Sequence, residues 1–337
     1  MPCDDGAYIG AGNSREDERL RWDMTVIWVL CGIACLGSML FVLNALYVRT
    51  PYHQNRVHSI QKFCQGVPFD LTVLNTGSNH AFFSIDWTLI GVQGFNLASG
   101  PQSIAWDCRL FQKYRNHLGQ DGVALFVLAD LVFCFLEYKS PQADCRYYYF
   151  LSAEEIPRYT WWRALVYRYL PLLGNWRNVF HCFVRRGVPF SEHEPSLTYA
   201  EAESDARIAG WKSEFSLADL QQRKSAEHLK ESIQRAVSVL HDMVDAAREQ
   251  GGQPVLMVPP MSAVINKKVA PAFLDEVLYQ PIREMLPDVP MLDYLRDERF
   301  QDYRLYQNGD FMNEAGRRVF MPVLWKDIED CIGRNRI

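Results

Sequence analysis

The nine cysteines of this sequence show neither C-x-x-C nor C-x-x-C-H spacing, so the signals of a zinc ribbon and of a c-type haem are missing. There is no G-x-G-x-x-G and no G-x-x-x-x-G-K-S/T, so nucleotide binding on a doubly wound sheet lacks its phosphate cradle. No long basic run or basic stripe interleaved with aromatics occurs, and the net charge is -5; nucleic acid is not an expected partner. No metal or cofactor is expected. Charge is also missing from residues 24–48.

That last absence is informative, because about 20 apolar residues suffice to cross a bilayer. The run "MTVIWVLCGIACLGSMLFVLNALYV" therefore predicts one transmembrane helix. A cleaved signal peptide would have a shorter apolar core followed by a small-x-small site. Arg15, Arg19 and Arg21 precede the run while Arg49, Arg56 and Lys62 follow it, nearly a draw by the positive-inside rule. A short N-terminal tail inside and a large domain outside is the commoner solution for a leading anchor, and is the expected orientation. Cys31 and Cys35 lie in this run. Cys64, Cys108, Cys134, Cys145, Cys182 and Cys331 lie beyond it, an even number that permits disulfides without requiring them.

The chain divides into a tail (1–23), the span (24–48), a polar connector (49–70) and a main domain (71–337). Apolar strand patterns are expected at 71–77, 89–100, 122–130, 253–260 and 289–295. Helices are expected at 101–118, 216–252 with Ser216 as N-cap, 270–285, and at the end. This alternation predicts an α/β fold, a parallel sheet with helices on both faces. Residues 140–215 break the pattern and are dense in Tyr, Trp, Phe and Arg. They read either as a helical insertion packed on the core or as a membrane-surface or partner-binding face.

In such a sheet ligands sit at the carboxyl ends of the strands. Ser78 in "NTGSNH" falls at such an end, at a strand-to-helix turn where a serine can expose its hydroxyl for acyl transfer. "NLASG", Asn96 to Gly100, ends the next strand, where a second backbone N–H could face the same oxygen.

With these blocks the sequence resembles the SGNH, or GDSL-like, hydrolase family over residues 71–320. The resemblance makes Ser78 the nucleophile and Gly100 with Asn96 the oxyanion or substrate-binding pair. "NTGSNHAFFSID", "GFNLASGPQSI", "VLMVPP" and "NEAGRRVF" look like the membrane-anchored SGNH-like proteins of bacterial polysaccharide and teichoic acid loci. It implies a three-layer SGNH/flavodoxin-like sandwich and a single-pass protein of the cytoplasmic membrane with its domain on the extracytoplasmic side. It further implies a carbohydrate polymer as ligand, and a multi-span acyltransferase or polysaccharide export partner.

Two family blocks depart from the pattern. "VLADLVF" offers Asp130 where a G-x-N-D is expected, and "NGDFMNEAG" places Asn308 and Phe311 where the aspartate and histidine of D-x-x-H belong. The usual base is therefore lost, and a serine without an imidazole is a poor nucleophile at neutral pH. His80 and Asp310 are the candidate substitutes, although a two-residue helical spacing would turn the ring of His80 away from Ser78. His53 and His58 read as solvated connector residues, and nothing in the spacing brings His181, His193, His228 or His241 to Ser78. The sequence thus predicts an SGNH-like polysaccharide-modifying or export protein with a degenerate site, or alternatively a serine esterase or O-acyltransferase with an unusual base.

Overall fold

The computed structural model describes residues 13–137, 145–175, 195–224 and 226–334. Cys3, Cys182, His181 and His193, and parts of the expected tail and insertion, lie outside the described residues. The helices in chain order are α1 (Asn13–Tyr47), α2 (Pro51–Val57), α3 (Gln61–Cys64), α4 (Asn79–Ser84), α5 (Ile104–Tyr114), α6 (Trp161–Tyr169) and α7 (Pro171–Gly174). They continue with α8 (Leu197–Glu214), α9 (Lys230–Glu249), α10 (Ala263–Asn266), α11 (Pro271–Leu274), α12 (Gln280–Met285) and α13 (Glu314–Arg334). The strands are β1 (Leu71–Thr76), β2 (Gly94–Asn96), β3 (Leu118–Val127), β4 (Gln253–Val258) and β5 (Met291–Asp293).

The chain forms two compact units, residues 1–54 with 161–188, and residues 55–160 with 189–337. In the first, Met24–Tyr47 of α1 is long and apolar enough to cross a membrane, and its side chains are exposed from Met24 to Met39. Near its end Asn44 is buried: its Nδ2 donates to the Tyr169 carbonyl at 3.1 Å, and the Leu172 N–H donates to its Oδ1 at 3.1 Å. The connector is not simply polar. His53 is buried with its ring 5.1 Å from that of Tyr47, which corrects its reading as a solvated residue.

The second unit is built on a five-stranded sheet, all parallel, in the order β2-β1-β3-β4-β5. Its central strands are apolar on both sides, as parallel strands covered on both faces must be. Val73, Val123, Leu125, Val127, Val255 and Met257 share one cluster with Phe320, Met321, Leu324 and Ile328 of α13. The intervening Phe126 instead meets Phe111 of α5 edge to face at 5.1 Å. In α9 the buried residues Ile233, Ala236, Val237, Leu240, Met243, Val244 and Ala247 recur every three or four positions, the stripe of a core-facing helix. The connector joins this core too, since Phe63 of α3 is buried and stacks on Phe150 at 4.3 Å.

Several expected boundaries move. The helix expected from Ser216 starts at Lys230, because Ser216 takes a left-handed conformation (φ 52°) and the following segment buries Leu217, Leu220 and Ala226 first. The helix expected from Pro101 starts at Ile104; Pro101 follows a cis peptide bond and stands before the helix. The apolar run 89–100 yields only the short strand β2, preceded by a 3-10 turn at Trp87–Ile90. Among the described cysteines, Cys31, Cys35, Cys64, Cys108 and Cys134 form no disulfide.

Candidate functional site

The strand order changes direction between β1 and β3: from β1 the chain steps to one side to make β2, then returns to add β3, β4 and β5 on the other. At such a switch point the loops after two neighbouring strands part, leaving a crevice at their carboxyl ends. A pocket of about 320 Å³ opens there. Ser78 and His80 enter it from the end of β1, Asp130 from the end of β3, Arg207 and Trp211 from α8, and Asp310 with Phe311 from the loop before α13.

The turn after β1 is set from below. Gly77 has φ 132°, a conformation that favours glycine, and a β-carbon there would lie 2.7 Å from that of Ala81. Its N–H donates to Asp107 Oδ1 at 2.9 Å, and Gln102 Nε2 donates to the same oxygen at 2.6 Å and to the Gly77 carbonyl at 3.1 Å. Tyr147 closes this network by donating its hydroxyl to Gln102 Oε1 at 3.2 Å. Burial pushes the Asp107 carboxyl up to about 7 despite these hydrogen bonds.

Ser78 occupies the N-cap position of α4 and makes no side-chain cap. Its Oγ instead accepts the backbone N–H of Gln102 at 2.9 Å. Because Ser78 is not yet helical, the helical-spacing argument fails, and His80 lines the same pocket. That corrects the expectation that the ring turns away.

His80 Nε2 lies 3.9 Å from Asp310 Oδ2, beyond hydrogen-bond reach, and is buried with no hydrogen-bond partner among the described residues. Desolvation, then the nearby Arg207 charge, holds the imidazole down to about 3, so it is neutral at physiological pH. Asp310 is buried and its carboxyl is pushed up to about 6, with Arg207 acting against that rise. Arg207 Nε sits 2.9 Å from Asp310 Oδ2, while its Nη2 donates to Oδ1 at 3.4 Å. Asp130, also buried, is pushed up to about 7, first by desolvation and then by the Asp310 charge.

The two positions that the resemblance aligned with an aspartate and a histidine, Asn308 and Phe311, make these contacts. Asn308 Oδ1 accepts the N–H groups of Asp310 at 3.1 Å and Phe311 at 2.8 Å, shaping the loop that presents Asp310. The Phe311 ring stacks on Phe83 at 5.2 Å, meets His80 edge to face at 5.1 Å and carries the Arg207 guanidinium 4.8 Å from its centre.

Asn96 and Gly100 do not join the lining. Asn96 Nδ2 donates to the carbonyls of Ala81 and Ile85, while its Oδ1 accepts from Asn75 Nδ2 and the Ala98 N–H, which uses its hydrogen-bonding capacity. A β-carbon at Gly100 would fall 1.7 Å from Asn79 Oδ1, and Arg146 donates to the Gly100 carbonyl.

Arg207, Trp211, Asp107 and Gln102 were not legible as site residues. Asp107 carried a signal: it follows Ile104 by three and precedes Leu110 by three, an acid on the apolar face of a helix. Among the described residues no cluster of three or more His, Cys, Asp or Glu is placed to hold a metal ion.

The charged groups lining the pocket are three carboxyls, Asp130, Glu214 and Asp310, against one guanidinium, Arg207. That balance disfavours an anionic ligand. Aromatic walls from Phe135, Trp211, Phe215 and Phe311 face hydroxyl, amide and carboxyl groups, a composition that suits a neutral molecule with many hydroxyls. The chain matches no family model and none of the curated proteins.

Proposed function

We propose that this chain is a membrane-anchored SGNH-like protein serving O-acylation or export of a bacterial cell-envelope polysaccharide. Its domain lies on the extracytoplasmic side, a three-layer sandwich whose switch-point pocket binds a sugar unit of the polymer. The observation that carries the binding reading is local. Ser78 Oγ accepts a backbone N–H and donates to no imidazole or carboxylate among the described residues, while His80 Nε2 beside it is buried and unbonded. Such groups can hold ligand hydroxyls, and among the described residues no base is hydrogen-bonded to the serine to activate it. The span, the "TGSNH" and "NEAG" blocks and the aromatic-lined pocket support the same reading. A multi-span acyltransferase or export protein is its proposed membrane partner.

A second reading, an active esterase or O-acyltransferase, is favoured by one fact: Ser78, His80 and Asp310 share one pocket. There Ser78 Oγ would attack an ester carbonyl, its proton would pass to the neutral imidazole and leave with the alcohol, and the acyl group left on Ser78 would go to water or an acceptor hydroxyl, whose proton returns to Ser78 Oγ through the imidazole.

Titrating the full chain in nanodiscs with O-acetylated and de-O-acetylated cello-oligosaccharides, read by tryptophan fluorescence, tests the binding reading. Saturable quenching that disappears in Trp211→Phe is expected. An unsaturable response to both sugars, unchanged by that substitution, would overturn it.

A further inference from the structure

The helix α6, "WWRALVYRY", has no buried residue. Trp161, Leu165 and Tyr169 recur every fourth position, so they form one stripe, and they are 68%, 48% and 64% exposed. Trp162 and, on α7, Leu173 extend this apolar surface, and the Arg163 guanidinium lies 5.4 Å from the Trp162 ring centre. A helix whose apolar face points outward must have that face covered by something other than its own core.

The attachment of α6 says what covers it. Its last residue is tied through the Tyr169 carbonyl to Asn44 of α1, and the next turn is tied to the same side chain through the Leu172 N–H. Tyr47 and Leu172 are buried together, with Leu40, Val48 and Tyr52 around them. A helical span of 24 residues is about 36 Å long against a hydrocarbon core of about 30 Å. Its last turn, which carries Asn44, therefore falls at the boundary between hydrocarbon and headgroups. A polar side chain at that depth needs partners, and α6 and α7 supply them.

We infer that α6 is an interfacial helix, lying in the headgroup layer at the end of the span with Trp161, Leu165 and Tyr169 facing acyl chains. Tryptophan and tyrosine concentrate at this depth because their rings are apolar at one end and polar at the other. Arg163 suits the same place, since its stem lies along apolar surface beside Trp162 while its guanidinium can reach lipid phosphates. The helix fixes the depth and tilt of the anchor, which a single span alone leaves free.

The test uses the full chain in vesicles of phosphatidylethanolamine and phosphatidylglycerol, with a benzophenone amino acid replacing Trp161, Leu165, Leu36 or Phe69 one at a time. Leu36 in the span is the positive control; Phe69, 64% exposed in the other unit, is the reference. All four side chains are exposed, so the fold tolerates the exchange, checked by an unchanged melting curve. Lipid adducts at positions 161 and 165 several-fold above position 69 and comparable with position 36 are expected. Adducts at position 36 without adducts at 161 and 165, or cross-links there to protein instead of lipid, would overturn the interfacial helix. No adduct even at position 36 would overturn the span itself and the inference with it.

Discussion

His80 Nε2 and Asp310 Oδ2 lie 3.9 Å apart in a buried corner of the switch-point pocket, brought together from the turn after β1 and the loop before α13. The separation is too long for a hydrogen bond and both groups are shifted toward their neutral forms by burial. The pocket thus brings a serine, an imidazole and a carboxyl to one place with no hydrogen bond between the imidazole and the carboxyl.

The imidazole of His80 should stay neutral across the range in which histidines ordinarily titrate. Its ring proton chemical shifts are expected to be flat between about pH 5 and 8 in the wild type. Arg207 contributes to holding the pKa down, so Arg207→Met should move the titration upward. An ordinary midpoint near 6.5 in the wild type would show that the ring is solvated.

Removing Arg207 should also weaken the fold. Asp310 is buried and loses its ion-pair partner, while the Arg207 side chain is about one-third exposed, which screens the loss. A destabilisation of roughly 1–3 kcal/mol in urea unfolding at neutral pH is expected. The cost should shrink below about pH 5, where Asp310 binds its proton.

Asp107 makes a pH-dependent contribution of definite sign. Its folded-state pKa, about 7, lies above the unfolded value, so the folded state holds the extra proton and this group's stabilisation is lost as pH rises from about 4 through 7. Asp107→Asn keeps an oxygen for the Gly77 and Gln102 N–H groups and cannot ionise. The variant should gain stability relative to the wild type at pH 8 and lose that advantage near pH 4, read by melting temperatures at both.

Two glycines near the pocket should respond differently to alanine. At Gly77 the new β-carbon meets Ala81 and Val127 and the backbone is left-handed, so Gly77→Ala should cost roughly 2–3 kcal/mol. At Gly100 it meets only the end of the Asn79 side chain, which can rotate at a cost of about 1 kcal/mol. Since Asn79 lines the pocket, Gly100→Ala should, on the proposed binding reading, alter ligand affinity more than stability.

The α/β class, the parallel sheet and the apolar leading helix were legible because each rests on a period: buried runs for β1, β3 and β4, and three-and-four spacing for α9. Strand ends, and with them Ser78 and Asp130, follow from those periods. What was not legible depends on distance in space. Arg207 sits on α8 in a stretch with no recognisable pattern, and only the folding of that helix over the carboxyl ends of the strands gives it a partner in Asp310. Helical spacing does not relate His80 to Ser78, because Ser78 caps the helix rather than entering it.

The most direct measurement is labelling of the full chain by a serine-directed fluorophosphonate, comparing the wild type, Ser78→Ala, and the double substitution Asn308→Asp with Phe311→His. A pocket that binds without an activated serine predicts no label on the wild type, and label on the doubly substituted chain that is lost when Ser78→Ala is added. Label on wild-type Ser78 would contradict the account, and would identify this chain as an enzyme whose base is already in place.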